Sequence, residues 1–111
     1  MAYIKPSIAT PVADPVTIDN LDPAYPRLTV GLSFFDDAAL TIPSASPVGS
    51  FAVEGIVQGG QTYTAFANSP VDVSVDGAFA SAASPIKTVR VTPTGASGAS
   101  YYQVTITANR S

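Results

Sequence analysis

Two stretches near the C-terminus constrain the fold more than anything else in the chain. Ile86-Lys87-Thr88-Val89-Arg90-Val91-Thr92 and Tyr101-Tyr102-Gln103-Val104-Thr105-Ile106-Thr107 are dense in β-branched and aromatic residues. Their apolar side chains recur at every second position, the repeat of a strand with one face buried and the other wet. In the second stretch Tyr102, Val104, Ile106 and Ala108 share a face, opposite Tyr101, Gln103, Thr105 and Thr107. In the first, Val89 and Val91 share a face with the stem of Lys87, opposite Thr88, Arg90 and Thr92. Pro93 to Ser100 carries the turn formers Gly95 and Gly98, so the two stretches read as a hairpin. A lone hairpin is marginally stable in water, so the remaining chain must bring strands to cover this apolar face.

The same alternation runs back through the sequence. Leu28, Val30, Leu32 and Phe34 fall on one face of a strand, and Ala39-Leu40-Thr41-Ile42 reads as a short strand stopped by Pro43. Between Gly49 and Val57, Phe51, Val53 and Val57 align, with Gly55 in their row marking a bulge or a close backbone approach. Gln58-Gly59-Gly60 reverses the chain into Gln61–Phe66. Val71, Val73 and Val75 point inward, with Asp72 and Ser74 outward, and Asp76-Gly77 is a type I′ hairpin signal returning the chain through Ala78-Phe79-Ala80. No window of ten residues has a helical period. The expectation is an all-β fold, a single β-sandwich of about eight short antiparallel strands, jelly-roll-like or immunoglobulin-like.

Residues 1–27 differ in kind. Five of the ten prolines stand there, at Pro6, Pro11, Pro15, Pro23 and Pro26, and proline is excluded from helix interiors and central strands. The segment reads as an extended N-terminal arm, with residues 28–111 as the sandwich. Tyr3, Ile4, Ile8, Val12, Val16, Ile18 and Tyr25 give it more apolar side chains than a solvated linker needs. Two uses fit: the arm crosses its own domain and closes the core, or it lies on a neighbour. Under the second, those seven are the candidate contacts to a neighbouring subunit.

Composition narrows the chemistry. The chain has no histidine, cysteine or tryptophan, and only 8 acidic and 5 basic residues, for a net charge of −3. Lys5, Arg27, Lys87, Arg90 and Arg110 are scattered, which argues against nucleic acid. A nucleophilic triad lacks its usual base, and the carboxylates of Asp36, Asp37, Glu54, Asp72 and Asp76 fall at turns or outward positions rather than as an opposed pair. Asp19-Asn20-Leu21-Asp22 and Asp36-Asp37 offer oxygens without the spacing of a calcium loop, and Asx turns explain them equally well. Gly59-Gly60 and Gly95-x-x-Gly98 precede no helix and are not phosphate loops. Pro23-Ala24-Tyr25-Pro26 matches Pro-x-x-Pro once. The N-terminus has no basic, then apolar, signal pattern, and no run reaches the roughly 20 apolar residues of a membrane span. Folding in a cytoplasm, with no cofactor and no catalytic role, is the expectation.

With these residues set out, the chain resembles the small all-β accessory proteins of tailed bacteriophage virions. The likeness rests on the Pro-rich start Lys5-Pro6-Ser7-Ile8-Ala9-Thr10-Pro11, the low-charge Ser/Thr/Ala/Gly/Val texture from Leu28 to Phe79, and the closing run Ser84 to Gly95 followed by Tyr102 to Thr107. The resemblance implies a virion protein, assembled in the host cytoplasm, that decorates and stabilises a capsid by binding between capsomers. Its partners would be the major capsid protein or other virion proteins, and it would act as a homo-oligomer, a trimer or dimer. A tail, baseplate or collar component is the alternative. A further one is a module binding sugar or a host surface through loops 43–49, 58–61 and 93–100.

Overall fold

The computed structural model describes residues 2–22, 24–25, 27–44, 47–66, 69–72, 79–82 and 85–109. They form ten strands: β1 (Ala2–Pro6), β2 (Thr10–Pro11), β3 (Val16–Ile18), β4 (Arg27–Phe35), β5 (Val48–Val57), β6 (Thr64–Ala65), β7 (Val71–Asp72), β8 (Phe79–Ala82), β9 (Ile86–Ser97) and β10 (Tyr101–Asn109). The fold is all-β, with two antiparallel sheets. One runs β1-β10-β4-β8, with β2 beside β1 on the same side of β10; the other runs β3-β9-β5-β6, with β7 also on β5.

The two-residue period builds the core directly. Leu28, Val30, Leu32 and Phe34 of β4 pair with Ala108, Ile106, Val104 and Tyr102 of β10, and all eight are buried. Phe51 and Val53 of β5 and Val89 and Val91 of β9 face them from the other sheet with no exposed surface. At the centre Phe34, Phe51 and Tyr102 form an aromatic cluster. The Phe51 ring lies 5.3 Å from each of the other two, edge-on to Phe34 and tilted against Tyr102, geometries that suit ring quadrupoles.

The predicted closing hairpin is not formed: β9 and β10 lie in different sheets. Each is an interior strand of its own sheet, β9 between β3 and β5, and β10 between β1/β2 and β4. The reason is the burial demand of two fully apolar inner faces, which pack best against each other across the sandwich. Gly95 and Gly98, with φ of 64° and 76°, turn the chain through the corner. Ser100 N–H closes it by donating to the Phe35 carbonyl at 3.1 Å. A glycine-containing turn reads the same in sequence for a hairpin and for a sheet-to-sheet crossing.

Three further expectations change. Ala39–Ile42 is a loop rather than a strand, because the Asp37 carboxylate accepts the N–H groups of Thr41 and Ile42 at 2.9 and 3.0 Å and the Thr41 hydroxyl at 2.5 Å. The strand expected over Gln61–Phe66 is reduced to Thr64–Ala65. The register of β5 on β9 slips between Ile56↔Thr88 and Val57↔Ile86. Lys87 is therefore bulged out of the pairing, Ile86 enters the core, and Val57 remains 42% exposed at the strand end. Gly55 does mark a close approach: an added Cβ would come within 2.6 Å of the Phe66 ring and 3.1 Å of the Ile86 side chain. The inward valines Val73 and Val75, the Asp76-Gly77 turn, Pro23, Pro26 and the side chains of Tyr3 and Phe79 lie outside the described residues. The strands flanking that turn nevertheless pair in different sheets, β7 with β5 and β8 with β4.

The first 18 residues contribute strands to both sheets: β1 and β2 lie on β10, and the chain then crosses the flank to pair β3 with β9. The Tyr102 hydroxyl holds this crossing by donating to the Asp14 carbonyl at 2.5 Å. The radius of gyration, 13.3 Å, is close to the roughly 13 Å of a single compact domain of this length.

Candidate functional site

The seven apolar residues of the first 27 divide by geometry. Val16 and Ile18, 8% and 6% exposed, belong to the chain's own core, and Val12 and Tyr25 pack partly buried against it. Val16 and Ile18 are therefore inside the protein's own packing, whereas Val12 and Tyr25 keep part of their surface open. Tyr3 pairs through its backbone with Ala108. Ile4 and Ile8 remain, 67% and 83% exposed. Ile4 stands opposite Thr107, on the outer face of its sheet, and Ile8 follows on the same edge.

This edge is protected against strand addition. Ser7 N–H donates to the Val104 carbonyl at 2.7 Å. In an antiparallel ladder residues alternate, so Tyr3, Lys5 and Ser7 turn their backbone groups to β10, and Ile4 and Pro6 turn theirs outward. Thr10 pairs with Tyr102 and Val12 N–H donates to Ser100, which likewise leaves Pro11 facing out. Both prolines therefore sit where a missing N–H costs the sheet nothing and denies a donor to an incoming strand.

On the same flank the loop after β3 is pinned by side chains from distant segments. Lys5 Nζ donates to the Asp19 carbonyl at 2.9 Å, and the Thr88 hydroxyl donates to the Asp19 carboxylate. Leu21 N–H donates to the Lys87 carbonyl at 3.0 Å, and Gln58 Nε2 donates to the Leu21 carbonyl at 3.2 Å. Asp22 accepts Ala24 N–H at 2.9 Å, the Asx turn that the sequence suggests. Asn20 has φ of 59°, a left-handed conformation that Asn tolerates better than most residues. Asp19, Asn20 and Asp22 are exposed. The oxygens of this loop were legible in sequence; the contributions of Lys5, Gln58 and Lys87 were not, since no spacing links residues 5, 58 and 87.

The outer face of the second sheet carries Arg90, whose guanidinium bonds Glu54 at 2.9 Å and lies 3.7 Å from the centre of the Tyr63 ring. This is cross-strand support: Glu54 stands directly opposite Arg90, and a half-exposed pair of this kind contributes little alone. Among the described residues no group of three or more acidic side chains gathers that could hold a metal ion. The loop at Asp36 and Asp37 is closed on itself, with the Asp36 carboxylate accepting the Ser44 hydroxyl at 2.8 Å.

Fold and surface together define a small β-sandwich with an apolar, proline-guarded edge and a polar flank beside it. The chain belongs to the DUF7265 family, described as a domain of unknown function, whose profile matches residues 1–111. Comparison with curated proteins and with solved structures found no match.

Proposed function

We propose that this protein is a structural virion component that decorates and stabilises a bacteriophage capsid, binding between capsomers as many copies, with the major capsid protein as partner. The observation that carries the reading is the exposure of Ile4 and Ile8, 67% and 83%, on an edge whose outward prolines prevent sheet extension. Such an edge docks through side chains and does not polymerise. The surrounding surface supports it: 13 charged residues in 111 mean few long side chains to immobilise and little ion hydration to lose on burial. Weak contacts repeated over a symmetric shell then add through multivalency.

The test is the copy number in particles of the virus that encodes the chain. On the order of hundreds per particle supports the shell, and a dozen or fewer moves the protein to tail, baseplate or collar. Absence from particles ends the reading. In the same preparation, the Ile4→Asp, Ile8→Asp double variant should fail to bind particles while keeping the thermal midpoint of the native protein.

A further inference from the structure

Three recesses adjoin one another along the flank between the edge strands β1 and β3. The largest, about 720 Å³, is bounded by Asp19, Asn20, Asp22, Gln58, Lys87 and Thr88. One of about 220 Å³ shares Asn20 and Asp22 and adds Lys5 and Tyr25. A third, about 390 Å³, shares Lys5 and Asp19 and continues along Pro6, Ser7 and Ile8. Through these shared residues the three form one open groove, with the charged side chains Lys5, Asp19, Asp22 and Lys87 gathered at one end.

We propose that this groove binds a neutral saccharide chain. Four arguments converge. The polar end holds two carboxylates, Asp19 and Asp22, and two ammonium groups, Lys5 and Lys87, so it has no net charge to attract an ion of either sign. A divalent cation is disfavoured further because the Lys5 ammonium already occupies the Asp19 carbonyl. An extended peptide held by main-chain pairing is disfavoured, because Pro6 and Pro11 deny that pairing on β1 and β2, and β3 is only three residues long. What remains is a set of carboxylate, amide and ammonium groups beside the half-buried ring of Tyr25, the donor and acceptor mix that vicinal hydroxyls satisfy and a ring that the C–H face of a sugar can meet. The loop is pinned from four directions before any ligand arrives, so little ordering entropy remains to be lost on binding.

The experiment is titration of the isotopically labelled full-length chain with neutral hexasaccharides of glucose, galactose, mannose, N-acetylglucosamine and rhamnose, followed by amide chemical shifts. Saturable shifts at Asn20, Asp22, Gln58 and Lys87 with at least one of them are expected. Asn20→Gly keeps the left-handed backbone and removes the amide, and Lys87→Gln removes one ammonium. Each should weaken binding about tenfold, the scale of one hydrogen-bonding side chain, without moving the unfolding midpoint. No shift with any hexasaccharide, shifts unaffected by both variants, or shifts at these amides with calcium chloride or an unrelated decapeptide instead would overturn the assignment. Because the assay uses the isolated protein, its outcome is independent of where the protein docks.

Discussion

At the scale of single residues, Tyr102 and Gly55 show how local chemistry is set by neighbours. Tyr102 is fully buried, and burial, followed by the nearby Asp14 carboxylate, pushes its hydroxyl well above the ordinary value, so it stays a neutral donor. Tyr102→Phe should cost about 1 kcal/mol by urea denaturation, the loss of one hydrogen bond, whereas Tyr102→Ala should cost about 3–5 kcal/mol through the cavity left between Phe34 and Phe51. Gly55→Ala drives a methyl against Phe66, Ile86 and the Thr88 carbonyl, and should destabilise by about 1–3 kcal/mol. Gly31→Ala, whose Cβ among the described residues meets only the Thr105 carbonyl, at an ordinary contact distance of 3.7 Å, should be nearly silent in the same assay. Asp37 is held below the ordinary carboxylate value of 3.8 first by the Thr41 hydroxyl and then by Ile42 N–H. A depressed folded value stabilises above the unfolded one and is lost as pH falls through the folded one. The midpoint of Asp37→Asn should therefore lie below that of the native protein at neutral pH, with the gap closing as the pH falls below 3.8.

At the scale of elements, the first 18 residues divide into parts with different jobs. β3 places Val16 and Ile18 in the core, whereas Ile4 and Ile8 on β1 and beyond it face solvent. Removing residues 1–20 strips two core side chains and the inter-sheet crossing held by Tyr102, and should abolish cooperative unfolding. Replacing Ile4 and Ile8 with serine should leave the denaturation curve unchanged. If the truncated chain unfolds with a normal midpoint and slope, β3 contributes nothing essential to the sandwich. Ser7 also matters at this scale: its backbone N–H reaches the Val104 carbonyl and its hydroxyl accepts Val104 N–H at 2.9 Å. The side chain thereby replaces a ladder bond at the irregularity between β1 and β2.

At the scale of the whole molecule, the chain passes repeatedly between two sheets: β2 to β3, β3 to β4, β4 to β5, β7 to β8, β8 to β9 and β9 to β10 each change sheet. Non-local pairing of this kind folds slowly, because loop closure precedes the contacts that reward it. It also gathers the N-terminal edge, the loop after β3 and the bulge at Lys87 on one flank. Docking and saccharide binding are predicted there, and the paired tests, particle copy number and amide titration, separate them.

Residue alternation alone determined that the protein is all-β and which side chains of β4 and β10 face inward, since these follow from a period of two; it marked Gly55 as a bulge or a close approach, and the structure decided for the second. Partner choice was decided only by the tertiary structure. β9 and β10 have faces that satisfy a hairpin and a sandwich equally, and the Asp36–Ile42 segment became a loop through carboxylate hydrogen bonds that no hydropathy pattern records. The polar flank likewise joins Lys5, Asn20, Gln58 and Lys87 only in three dimensions, because hydrophobic burial selects which strands meet and these side chains are carried to the flank with them.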